Sequence, residues 1–209
     1  PNQVIELLHR KKALSIVGNY DLEVIHDTDG GKGEKKIAYE FTKAELSSSC
    51  RAYLCSLPGE VALEIAEKKL LMVHGSPQSV DEHIYHDTAD ERLRTLADEA
   101  KADIIVVGHS HDQFHREVDA VSFINPGSVG RPGDGDYRAA YALVSFNPFN
   151  VELRRIGYDV EAAANALRKK GLPESFAQML LQGKALDTIV KGDHAKKANL
   201  PEHTKQSTK

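Results

Sequence analysis

Three apolar runs in this chain end in the same kind of residue, and that repetition restricts the fold more than any other feature. Ile16-Val17 runs into Gly18-Asn19-Tyr20-Asp21, Leu71-Met72-Val73 into His74-Gly75, and Val106-Val107 into Gly108-His109-Ser110-His111. Read as strands, they carry ligand-type side chains at their carboxyl ends, where the binding sites of open α/β sheets form. Glycine beside each lets the backbone turn sharply and approach a bound ion closely. His109 and His111 are two apart, so in extended geometry both point to one side and suit two neighbouring metals. Singly each signal is weak, because a lone histidine at a strand end more often serves as a hydrogen-bonded core or surface residue. Asn after Gly is a common turn pair. Three such clusters in one order point jointly to a metal site.

The rest of the pattern alternates helix and strand. Asn2 stands where it can cap a helix through Val4, Ile5, Leu7 and Leu8, with Lys11 and Lys12 in the last turn. Residues 13–17 read as a short buried strand, 26–36 as a glycine-rich charged loop, and 42–57 as one helix ended by Pro58 and Gly59. The runs 61–65 and 70–73 have the pattern of a hairpin. Thr88 and Glu91 form a capping box for a helix whose apolar face is Leu93, Leu96, Ala97 and Ala100, leading into 104–107. Residues 114–124, 139–146 and 151–156 read as antiparallel strands, and 160–170 and 173–182 as helices parted by Gly171. Residues 1–186 are taken as one domain and 187–209, polar and lysine-rich, as a disordered tail.

At 209 residues and 41% hydrophobic content the chain has material for one core and too little for two large domains. Its 27 basic and 31 acidic side chains give a formal charge of −4, which excludes strong non-specific binding to nucleic acid. No apolar run approaches the roughly 20 residues that cross a bilayer. No membrane association and a cytoplasmic location are expected. Cys50 and Cys55 are too few for a secreted disulfide framework and are expected to stay reduced.

The ligand clusters also carry a family resemblance. Gly18-Asn19-Tyr20-Asp21 resembles the Gly-Asn-His-Asp/Glu motif of calcineurin-like metallophosphoesterases, His74 their isolated histidine, and Gly108-His109-Ser110-His111 their Gly-His-x-His. Stretches similar to 1–8, 73–77, 125–130 and 158–163 recur in this order in the small prokaryotic phosphodiesterase branch. The resemblance runs from residue 1 to about 185. It implies an α/β (α+β) sandwich of two mixed sheets flanked by helices, with two divalent metals (Mn, Fe, Ni or Zn) at its mouth. It further implies that Asn19, His74 and His109 bind one metal and His111 the other. The metals would hold the phosphate of a small phosphorylated or nucleotide substrate, and a bridging hydroxide would attack phosphorus in line.

The chain departs from the family pattern in two places. Neither the family's Asp-x-His nor its Gly-Asp occurs before Asn19, so the first strand and helix of the domain are expected to be missing from this chain. Physics points the same way, because four neutral ligands cannot balance two divalent ions. Asp21 is the nearest carboxylate, although the family uses that position to orient a ligand. The second departure is Tyr20, where the family has a histidine that donates a proton or hydrogen bond to the leaving group. A phenol titrates near 10 in water and is a poorer proton donor at neutral pH than imidazolium.

Further candidates are Arg131, whose guanidinium suits phosphate, and His83 or His86, which are either phosphate contacts or solvated loop histidines. Residues 125–130 are a turn that would bring backbone amides near the site. The leading expectation is a metal-dependent phosphodiesterase or phosphatase on a small-molecule phosphate ester, in a monomer or homo-oligomer. Its rival is an inactive scaffold of the same fold that binds a protein partner, a role known within the superfamily. A third reading, one structural zinc held by His74, His109 and His111, fits the ligand types but not their place at a sheet mouth.

Overall fold

The chain opens with helices. In the computed structural model, which describes residues 1–28 and 30–191, α1 (Asn2–Arg10), α2 (Asn19–His26), α3 (Glu34–Glu45) and α4 (Ser48–Ser56) precede the first strand. Pro1, and not Asn2, caps α1. The Asn2 side chain instead donates to Glu45 O at 2.8 Å and accepts from Ser47 N at 3.0 Å. That tie accompanies the break of the expected single helix over 42–57, since Ser47 leaves the helix and its hydroxyl accepts from Cys50 N to cap α4. The expected strand over 13–17 is extended chain without a ladder. Among the described residues its one backbone bond within 14–17 runs from Val17 N to Pro58 O at 2.9 Å. Apolar sequence makes a strand only where a neighbouring edge exchanges bonds with it. The expected loop over 26–36 shortens to 27–33 between α2 and α3. Both cysteines are free thiols, Cys50 buried and Cys55 exposed.

The sheet that positions the site begins with β1 (Glu60–Ile65) and β2 (Lys68–Val73), a hairpin whose turn residues Ala66 and Glu67 take φ of 49° and 63°. Paired positive φ values match the twist of the flanking strands. After α5 (Asp90–Ala100) come β3 (Ile104–Val106), β4 (Phe114–Val118) and β5 (Val121–Asn125). The strand order is β1-β2-β3-β5-β4. β2, β3 and β5 are mutually parallel, with Leu70 opposite Ile104 and Ile104 opposite Ser122, and β1 and β4 close the edges antiparallel. The expected strand over 114–124 thus folds back on itself at Asp119 and Ala120, both at positive φ.

Helix α5 is the crossover between β2 and β3. The expected capping box fails, because Thr88 Oγ1 accepts from Tyr85 N at 2.8 Å and the cap position is Ala89. Its predicted apolar face does pack. Leu93 and Leu96 are fully buried against Leu71, Val73, Ile105, Val107 and Phe123. Each fully buried aliphatic or aromatic side chain there contributes about 1.5–3 kcal/mol, so the parallel strands are fixed by their covered face.

A second, two-stranded antiparallel sheet is made by β6 (Ala139–Phe146) and β7 (Phe149–Ile156). The resemblance implied a mixed sheet at this place. Helices α6 (Val160–Lys169) and α7 (Glu174–Gln182) join Ala38 of α3 in a smaller cluster around Phe176, Met179 and Leu180. That cluster also buries Leu186 and Ile189 from a further helical stretch at 186–191, so the fold passes the boundary expected at 187. The rest of that expected tail, 192–209, lies outside the described residues. The architecture is the mixed α/β one expected, a mixed sheet flanked by helices. No described helix is long and apolar enough to cross a membrane.

Candidate metal centre

Parallel pairing of β2 with β3 brings the residues that follow each strand side by side, and Gly108 N donates to His74 O at 2.7 Å. Asn19 arrives from the opposite side as the first residue of α2. His74 Nε2 lies 3.0 Å from Asn19 Oδ1 and 3.2 Å from His109 Nδ1. With its proton on Nδ1, His74 would turn the Nε2 lone pair towards both neighbours, so a cation among the three atoms would meet three donors at once. Asn19, His74 and His109 therefore fit one divalent ion. Among the described residues no three His, Cys, Asp or Glu side chains form such a set without Asn19.

The glycines act differently from the sequence reading. Gly18 has an ordinary extended φ of −101°, but a Cβ there would stand 3.0 Å from His74 Cε1. It is small so that the histidine can lie against the backbone. The left-handed residues are the two histidines themselves, His109 at φ 56° and His111 at 59°. Their side chains are set by a tight turn and not by the strand alternation expected from their spacing. Such backbone is sparsely populated by residues with a Cβ and persists where its surroundings hold it.

The holding group is Asn125, fully buried at the end of β5. Its amide donates to Gly108 O at 3.0 Å and to Ser110 Oγ at 2.9 Å, and its Oδ1 accepts from Gly127 N at 2.9 Å. One side chain thus joins the histidine turn to the turn over 126–131. Sequence reading gave that turn no necessary role; buried Asn directly after an apolar strand was the available signal. The same turn delivers Arg131, whose N–H donates to Ser128 Oγ at 2.9 Å. His111 Nδ1–H donates to Arg131 O at 2.7 Å, which leaves Nε2 as the lone-pair atom available to a second ion. The Arg131 guanidinium lies over the Tyr20 ring, 5.3 Å from its centroid. Two buried side-chain atoms among the described residues lack any partner, His109 Nε2 and Arg131 Nε, and both belong to this cluster.

The other predicted residues divide. Asp21 is third in α2 and accepts from Gly18 N at 2.9 Å, so it fixes the start of the helix that carries Asn19. Burial raises its carboxyl above the ordinary range, against the pull of that N–H. His83 reaches the cluster with its ring 4.1 Å from that of His109, and Tyr85 stacks on it at 5.7 Å. Its loop is anchored by buried Ile84 and by Glu82, which the Arg92 guanidinium holds at 2.7 Å. His86 is turned away, bonded to Asp112 through its backbone N at 2.7 Å and its Nδ1 at 2.8 Å.

The electrostatics favour neutral imidazoles. Burial first, then the neighbouring His109 and His111, push His74 down to about 4. His109 is lowered by burial and by His83, with the Asp81 charge and main chain opposing. His111 is lowered by burial and by the Arg131 charge. An unfolded histidine titrates near 6.5. Above that value both states are neutral and pH has no effect through His74. Between 6.5 and about 4 only the unfolded chain takes the proton, so stability falls as pH falls. Thermal melts with chelator present should therefore drop in midpoint from about pH 7 to about 4.5, and less steeply in His74→Gln. Equal slopes for both proteins would remove His74 as a source.

Comparison with known proteins gives the family. Residues 1–147 match the family model of the calcineurin-like phosphoesterase superfamily domain. An uncharacterized protein of Methanocaldococcus jannaschii is 30% identical over 203 residues, covering 88% of this chain and 81% of that protein. A metallophosphoesterase of Sphaerobacter thermophilus is similar in structure, with a TM-score of 0.71 and 27% identity over 87% of this chain and 81% of the other. A hypothetical protein of Pyrococcus horikoshii shares the fold at a TM-score of 0.76 and 21% identity, over 88% and 78% of the two chains. The family model's match over most of the chain means that this chain belongs to the calcineurin-like phosphoesterase superfamily.

Proposed function

We propose that the protein is a metal-dependent phosphoesterase acting on a small phosphorylated molecule, with Asn19, His74 and His109 holding one divalent ion and His111 Nε2 a second. The observation that carries this reading is the meeting of His74 Nε2 with Asn19 Oδ1 at 3.0 Å and with His109 Nδ1 at 3.2 Å. When bound, such ions neutralise phosphate charge and activate water. Four neutral donors leave the positive charge unbalanced, so the pair of ions also requires anionic ligands beyond these four.

The remaining roles belong to side chains. Asp21 keeps Asn19 in place through the helix start. Arg131 and His83 flank the cluster and bind phosphate oxygens, the first through a planar fork of donors. Tyr20 donates a hydrogen bond to the leaving-group oxygen without supplying an acidic proton, so esters with good leaving groups are the favoured substrates. Tyr20→His should then raise the rate on poor leaving groups, by up to about 10²-fold, and change good ones little. A rate unchanged on both classes would show that Tyr20 is not at the leaving group.

Metal analysis combined with turnover of bis(p-nitrophenyl) phosphate in manganese tests the function itself. Two equivalents of metal with turnover are expected. One tightly held zinc without turnover would mean a structural site. No metal and no turnover would favour the non-catalytic scaffold, a reading whose specific support is Tyr20 in place of histidine.

A further inference from the structure

Resting on that reading, we infer that the substrate carries a nucleobase, one sugar away from its phosphate, and that the exposed ring of Tyr85, backed by His83, is the surface on which the base stacks. The rings stand in series outward from the proposed centre. His83 lies 4.1 Å from the His109 ring at a tilt of 55°, and Tyr85 lies 5.7 Å from His83 at 15°, close to parallel. Every other ring pair among the described residues meets at 55° or more, so the near-parallel pair is not the ordinary outcome of packing in this chain.

Both rings are exposed, Tyr85 by 42%. A single exposed aromatic side chain needs no account, but this pair is held out by its backbone. Ile84, between the two in sequence, is fully buried, and its carbonyl accepts from Ser110 Oγ at 2.6 Å, in the turn that carries His109 and His111. On the far side Tyr85 N donates to Thr88 Oγ1 at 2.8 Å. Arg116 donates to the carbonyls of His86 and Thr88 at 2.9 and 2.5 Å. The segment cannot turn its rings inward without breaking these ties. A ring already fixed loses little freedom when a ligand covers it, so little of the stacking energy is spent on ordering.

The series also selects the ligand. His83 separates Tyr85 from His109, so an aromatic group bonded directly to the phosphate stops short of Tyr85, whereas a base carried on a sugar reaches it. A ring face reads no base edge and every base offers a π-face, so preference among the bases should be weak. An ester without a base gains nothing from the pair.

The test uses the manganese-loaded protein and two diesters with one leaving group. These are thymidine 5′-(p-nitrophenyl) phosphate and the methyl deoxyriboside 5-(p-nitrophenyl) phosphate, which lacks only the base. The nucleoside ester should have a KM lower by about tenfold or more at similar kcat. Tyr85→Ala should erase that difference and Tyr85→Phe should keep it. Tyr85→Leu, apolar but without a flat face, should erase it as well, and decides the matter if Tyr85→Ala does not fold. Calorimetry reads the same contact without turnover. Thymidine 5′-monophosphate should bind about tenfold or more tighter than deoxyribose 5-phosphate or phenyl phosphate, and Tyr85→Leu should close the gap to deoxyribose 5-phosphate. Three results would each overturn this proposal and leave the phosphoesterase reading intact: no preference for the base while the p-nitrophenyl esters are turned over, a preference that survives Tyr85→Leu, or phenyl phosphate binding as tightly as the nucleotide. Absence of metal-dependent turnover on both esters would overturn both.

Discussion

Replacing His74 with alanine is expected to abolish metal-dependent turnover of an aryl phosphodiester and to release the ion held with it. Removing a group that merely orients a metal ligand costs about 10–100-fold in affinity or activity. His74 is the middle member of its set, with its Nε2 at 3.0 Å from Asn19 Oδ1 and 3.2 Å from His109 Nδ1. Its loss dissolves the convergence and not one contact of it. Metal content after dialysis and steady-state turnover check this together, with His26→Ala as the control because that histidine is exposed at the end of α2. A His74→Ala protein that keeps both metal and rate would place the centre elsewhere.

The largest effect on stability is expected at Asn125. Leucine is near enough in volume to fill the site but strands Gly127 N and removes the amide donor from Gly108 O and Ser110 Oγ, which keep Ser110 N and Ile84 O as partners. With about 1–3 kcal/mol for the stranded donor and about 0.5–1.5 kcal/mol for each of the two lost bonds, Asn125→Leu should cost about 2–5 kcal/mol and lower the melting temperature by about 4–15 °C. That is a large part of the stability of an ordinary domain, about 5–15 kcal/mol. Metal affinity should fall with it, since the turn carrying His109 and His111 loses its tie to β5. A melting temperature within about 2 °C of the parent would show that the turns hold themselves.

What could be read in the sequence was whatever depends on local pattern. The hairpin β1–β2, the apolar face of α5 and the histidines placed after β2 and β3 follow from periodicity and from glycine placement. What escaped depends on partners distant in the chain. Residues 13–17 look like a strand and lack a ladder, which no local pattern reports. Asn2 looks like a cap and instead bridges to Glu45 and Ser47, which ends one helix and begins another. Thr88 looks like half of a capping box and serves a turn with Tyr85. At the site, the residue types were legible and their geometry was not. His109 and His111 converge through left-handed backbone, and the residue that stabilises it, Asn125, carries no chemistry of its own that would single it out. Arg131 drew notice for its guanidinium, but its carbonyl bond to His111 is visible only once the turn is folded.

The parallel register of β2, β3 and β5 also sets when in folding the chain can first bind an ion. The hairpins β1–β2 and β4–β5 are local and close in about 1–10 μs. Neither contains two of the proposed ligands. His74 and His109 are 35 residues apart and His74 and Asn19 are 55 apart, so they meet only after the non-local parallel pairing, the slow step for such topologies. A partly folded chain therefore offers single histidines and no chelating group. An ion at the proposed centre would come late, as a ligand of the finished sheet that slows its unfolding, and would not act as a nucleus for its assembly.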